Sequence, residues 1–193
     1  YGGSSIDYGY SCAIDASGNV YMSGETMSST STVIATMGSH QSAYGGNPDA
    51  YLVKFSSSGV RQWGTYYGGT GTEQGYSCFS DAGGNIYMSG STGSNSGTVM
   101  ATSGSYQSIY GGGSNDGYLV KFSSGGVRQF GTYYGGSGND NGRFCTRDVP
   151  GFIYLAGSSS TSGGTAIATP GSHQSTIGGN VNAFLVKFAD CAT

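Results

Sequence analysis

Residues 49–69 read DAYLVKFSSSGVRQWGTYYGG, and residues 116–136 read DGYLVKFSSGGVRQFGTYYGG. The first half of this stretch returns at 182–188 as NAFLVKF. Alternate residues of an extended strand point to opposite faces, so Tyr51, Val53 and Phe55 share one face and Leu52 and Lys54 the other. The Ser-Ser-Ser-Gly that follows is turn composition, and Val60 to Tyr67 reads as a second strand. Two strands joined by a short glycine-containing turn make a β-hairpin. Its recurrence makes the chain an internal repeat.

The composition agrees with many short strands. Glycine supplies 38 of 193 residues, charged residues only 9% and aromatics 13%, with 16 tyrosines. Disordered chains are rich in charge and poor in aromatics, so this chain folds. Its length allows one domain with a sizeable core. A net charge of −3 provides no basic face for nucleic acid. No apolar run approaches the ~20 residues of a membrane-spanning helix. No signal peptide is expected within the sequence, because Tyr1 begins inside the repeat pattern; the start is either a processed terminus or a cut within a longer chain. Four cysteines in a polar chain rich in Gly, Ser and Thr point to an oxidising, extracellular setting, with buried free thiols as the alternative.

Tyr-Gly-Gly marks at Tyr1, Tyr67 and Tyr134 divide the chain into repeats at 1–66, 67–133 and 134–193. Cys12, Cys78 and Cys145 keep the same spacing, as do Lys54, Lys121 and Lys187, give or take one residue. The first two copies match at about two-thirds of positions. Each copy opens on a polar glycine loop. A first strand follows at Tyr10–Asp15 in copy one, then an Asp-Ala-Ser-Gly-Asn turn and a second strand at Val20–Gly24, matched by Ile86–Gly90 and Ile153–Gly157. The polar excursion 25–48 has room for one short helical turn, at Ser39–Ala43. The hairpin then completes four strands in up-and-down order, the composition of a propeller blade.

A lone sheet of this kind must bury its apolar face on the next copy, through Val53, Phe55, Val120, Phe122, Val186 and Phe188. The strand Gly59–Tyr66 recurs at Gly126–Tyr133 but not after Phe188. The expected fold is all-β: a propeller-like array of three four-stranded antiparallel units, one strand short, together forming one compact body.

The runs DAYLVKF, GVRQWGTYYGG and DAGGNIYMSGST, in that order, resemble the beta-propeller repeat family named for seven-bladed propellers, found in secreted bacterial surface proteins. The likeness covers nearly the whole chain. It implies a propeller-type sheet and an extracellular, non-catalytic role. Repeats of 66 or 67 residues are long for that family, and three are too few to close its ring.

No catalytic set stands out. His40 and His173 share one repeat position, but copy two has Tyr106 there, which favours a structural role. Neither a Gly-x-Ser-x-Gly elbow nor a His-Glu-x-x-His pair occurs. The acidic loops at 68–75 and 135–142 offer oxygen ligands for calcium. They lack EF-hand spacing, however, and the expectation is a solvated loop with no metal. Lys54, Lys121 and Lys187 recur beside Asp15, Asp81 and Asp148, which suggests ion pairs between units. Tyr51, Trp63 and Phe130 are candidates for stacking on sugar rings, with core packing as the default. Cys12, Cys78, Cys145 and Cys191 are disulfide candidates, and Cys191, outside the repeat, is the one expected to be bonded.

These features point to an extracellular structural protein that associates with copies of itself into a fibre or surface assembly. The alternative is an adhesive or glycan-binding module using the loops. Neither enzymatic activity nor a cofactor is expected.

Overall fold

A computed structural model of the protein describes residues 1–163 and 166–189. These residues form three antiparallel sheets. The first consists of β1 (Asp7–Ile14), β2 (Val20–Thr26), β3 (Asp49–Phe55) and β4 (Arg61–Tyr67). The second consists of β5 (Glu73–Ser80), β6 (Ile86–Thr92), β7 (Asp116–Phe122) and β8 (Arg128–Tyr134). The third holds β9 (Asp140–Arg147), β10 (Ile153–Ser159) and β11 (Asn182–Phe188). Strands neighbour one another in chain order within each sheet.

Two four-residue helices, α1 (Ser31–Ile34) and α2 (Gly97–Met100), sit in the excursions. The helical turn expected at Ser39–Ala43 is absent. There the backbone bonds to β4 instead: Gln41 N donates to Thr65 Oγ1 at 2.9 Å, and Tyr66 N donates to Gln41 O at 3.1 Å. The first strand also starts earlier than expected, at Asp7. A glycine loop hides this start, because Gly9 and Gly24 pair where β1 and β2 approach closely. A methyl carbon built on Gly24 would lie 1.8 Å from Tyr8 O, so only glycine fits.

Strand register shifts between Gly9 and Ser11, between Gly75 and Ser77, and across Gly142 and Phe144. Tyr10, Tyr76 and Arg143 are therefore the extra residues of three equivalent bulges. Such bulges re-aim a side chain out of the pleat.

The core lies in the seams between sheets. In the first seam Tyr21, Leu52, Trp63 and Tyr67 of the first sheet meet Ile86, Met88, Tyr118, Val120 and Phe122 of the second. In the second seam Tyr87, Leu119 and Tyr134 meet Cys145, Ile153, Leu155 and Phe184, with Val186 and Phe188 packed against them. Each fully buried Leu, Val or Phe contributes about 1.5–3 kcal/mol through loss of contact with water. Val53 lies with Tyr51, Tyr66 and Ile34 in a third cluster inside the first unit, and Phe55 packs against that cluster.

Candidate functional site

The two seams are built alike, and the two ends of the array carry the matching halves. Leu52 and Leu119 are fully buried in their seams, whereas Leu185, at the same strand position in the third sheet, is 72% exposed. Phe144 takes the position of Ser11 and Ser77 and is 60% exposed. At the opposite end, Val20 and Met22 stand where Ile86 and Met88 are buried, and are only half-buried themselves.

Tyr1 caps that end. Tyr67 Oη donates to Met100 O across the first seam at 2.5 Å, and Tyr134 Oη donates to Ile167 O across the second at 2.7 Å. Tyr1 Oη makes the same bond to Ile34 O, with its ring against Tyr51 and Phe55. Tyr1 therefore does for the first unit what Tyr67, the last residue of β4, does for the second and Tyr134, the last residue of β8, does for the third.

The lysine–aspartate pairing falls within a unit rather than between units. Lys54 Nζ lies 3.8 Å from Asp15 Oδ2. It reaches the next unit by donating to Ser124 O at 3.1 Å, beside Trp63 Nε1, which donates to the same carbonyl at 3.0 Å. The turn after β1 explains the arrangement. Asp15 accepts from Ser17 N, Asn19 N and Tyr21 Oη, while Gly18 takes the positive φ. Burial works against the Asp15 carboxylate, but these bonds outweigh it and hold its pKa below the usual value.

Cys12, Cys78 and Cys145 are free thiols rather than disulfides. They occupy one position of successive units with serines between: Cys78 Sγ is 3.8 Å from Ser11 Oγ, and Cys145 Sγ is 3.9 Å from Ser77 Oγ. Cys191 lies outside the described residues.

The residues considered for sugar stacking are taken up by packing. Tyr51 and Trp63 are buried, and Phe130 packs against the second seam. His40 sits between Tyr67 and Phe122, with ring centroids 5.9 and 5.7 Å away, and burial pushes its pKa down to about 4. Tyr106 fills the same place against Tyr134 and Phe188. His173 is exposed. A second aromatic group was not read from the sequence: Tyr8, Tyr10 and Tyr76 form a run of rings, 6.1 Å and then 5.6 Å apart, with Arg143 stacked 4.4 Å over Tyr76. Three of these four residues are the bulge residues, and nothing short of strand register reveals a bulge.

The acids of these loops are not solvated, although Thr70, Thr72, Ser137 and Asn139 at the loop tips are exposed. Glu73 and Asp140 are fully buried, as are Asp49 and Asp116 beside them. Gln41 braces the first pair, donating to Asp49 Oδ2 at 3.1 Å and accepting from Gly68 N at 2.9 Å, and Gln107 repeats this with Asp116 and Gly135. A glutamine recurring in every copy was the sequence signal for that brace. Among the described residues no helix is long and apolar enough to cross a membrane. No protein-family model matches the chain, and a search of curated proteins finds no match.

Proposed function

We propose that the chain is an extracellular structural protein, a propeller-like array of β repeats that adds end to end to further copies of itself. One observation carries this reading: the two end faces are the two halves of the seam that the chain already makes twice. Leu185 and Phe144 stand on the donor half, and Val20, Met22 and Cys12 stand on the receiving half. The polar rim fits as well. Asn182 Nδ2 is buried without a hydrogen-bond partner among the described residues, and the seams pair its position with that of Asp7 in the next unit. An amide then meets a carboxylate. The third sheet also leaves β11 as an edge, a ready template for another strand.

Such a contact is heterologous, so it runs on into a filament unless the rotation closes, as in a two-chain ring of six units. The resemblance to secreted propeller repeats supports the extracellular setting. Light scattering across a concentration series tests the reading. Mass that grows with concentration, and that Leu185→Asp abolishes, is expected. A stable monomer at high concentration overturns it, and a discrete dimer replaces the fibre with the ring.

An adhesive reading rests on Tyr8, Tyr10 and Tyr76, a partly exposed aromatic run of the kind that stacks on sugar rings. A glycan-array hit that Tyr10→Ala removes, in a protein that stays monomeric, favours that reading over assembly.

A further inference from the structure

Each seam buries two carboxylates that face one another. Asp49 opens β3 and Glu73 opens β5, and Glu73 N donates to Pro48 O at 2.7 Å, which brings the two side by side. Asp49 Oδ2 accepts from Gly45 N at 2.8 Å and from Gln41, whereas Oδ1 is buried with no hydrogen-bond partner among the described residues. Glu73 Oε2 accepts from Gly69 N at 2.8 Å. A methyl carbon built on Gly68 would lie 2.5 Å from Glu73 Oε2 and 2.8 Å from Asp49 Oδ1. One built on Gly45 would lie 2.2 Å from Gly69 O and 3.1 Å from Asp49 Oδ1. Asp49 Oδ1, Glu73 Oε2 and Gly69 O thus crowd against the backbone of Gly68 and Gly45, where a larger residue would not fit.

The second seam repeats the arrangement. Asp140 N donates to Asn115 O at 2.8 Å, and the Oδ1 atoms of both Asp116 and Asp140 are buried without partners among the described residues. A methyl carbon on Gly135 would lie 2.4 Å from Asp116 Oδ1, and one on Gly111 would meet the carbonyls of Gly136 and Gly135 at 2.7 and 2.9 Å. Converging buried acceptors require a cation or a proton between them.

We propose that each seam binds one divalent cation, calcium by its donor set, between Asp49 and Glu73 and between Asp116 and Asp140. Calcium accepts six to eight oxygens in irregular geometry, backbone carbonyls and water included. No group of three or more His, Cys, Asp or Glu side chains suited to a metal occurs among the described residues, so each site depends on backbone carbonyls and water to complete the two carboxylates. Burial, and then the neighbouring acid, push both Asp49 and Asp116 up to about 7, the strain that a cation would relieve. Both sites lie inside one chain, so they are independent of end-to-end assembly.

The test is calcium titration of EDTA-stripped protein at pH 7.5, by calorimetry and thermal melting. Two ions per chain are expected, with a rise in midpoint of about 5–10 °C per site at roughly 100-fold excess over Kd. Asp49→Asn and Asp116→Asn should each remove one ion and the double variant both. In EDTA these variants should melt no lower than the parent, because the amide removes like-charge repulsion. Absence of heat and of any shift for the parent protein at millimolar calcium overturns the proposal. A midpoint in EDTA that climbs from pH 7 to 5, with no calcium effect at pH 7.5, overturns it too and assigns the gap to a shared proton.

Discussion

Trp63 of the first unit lies against Gly126, in the turn between β7 and β8 of the second. A methyl carbon on Gly126 would sit 2.9 Å from Trp63 Cδ2, and the glycine holds φ +82°. Gly59 is the same turn position one unit earlier, with φ +80° and nothing within 4 Å. The pair separates backbone strain from crowding. Gly59→Ala should cost about 1 kcal/mol, the left-handed penalty alone. Gly126→Ala should cost a further ~1–3 kcal/mol for overpacking against the indole. Urea denaturation of both variants checks the difference, and equal losses would mean that the turn does not press on Trp63.

Leu119 and Leu185 occupy one position of the repeat in different surroundings. Leu119→Ala empties a filled seam and should cost about 2–5 kcal/mol. Leu185→Ala removes an exposed side chain and should stay within about 0.5 kcal/mol for the monomer while weakening association. Thermal melts at low concentration measure the first effect, and scattering at high concentration measures the second.

The hairpin at 49–69 and its copies made the strands legible, because alternation and turn chemistry are local. Tyr51 and Leu52 do lie in different clusters, as alternation requires. The buried acids were misread for a physical reason. Glu73 and Asp140 sit in glycine loops whose composition looks solvated, and only the meeting of two sheets closes those loops over them. The bulge run of Tyr10, Tyr76 and Arg143 was hidden likewise, since a bulge is defined by strand pairing, and β1, largely exposed, has little apolar alternation for it to break.

The acids give stability a pH dependence of known sign. Asp49 and Asp116 hold protons up to about pH 7 when folded but release them near pH 4 when unfolded. Between those values the folded state binds more protons, so stability falls as pH rises from about 4 to 7 and is flat above. Glu73, raised by burial, adds the same sign. The charges of these acids also reach Tyr44 and Tyr66 in the first unit and Tyr110 and Tyr133 in the second, all protonated throughout this range. His40 opposes the trend: its pKa is depressed to about 4, so its contribution is complete above about 6.5 and is lost as pH falls to 4. In EDTA, the parent's stability relative to the Asp49→Asn/Asp116→Asn variant should therefore decline from pH 4.5 to 7. His40→Tyr, which copies Tyr106, should steepen the parent's own decline. Urea melts at three pH values resolve both.

Cys12 reports on the open end. Cys78 and Cys145 are buried in seams, and burial pushes both thiols up, Cys145 to about 12. Thiolate is the reactive form, so these two should resist a disulfide reagent until the protein unfolds. Cys12, at the same repeat position, is exposed, with no further sheet packed over it among the described residues. The fast labelling that Cys12→Ser removes should therefore equal one thiol. A neighbour's third sheet docked there would set its Phe144 against Cys12, as Ser11 is set against Cys78, and cover the sulfur. The labelling rate of Cys12 should then drop as concentration rises, and Leu185→Asp should restore it. A rate that ignores concentration while the scattering mass grows would place the contact on another face.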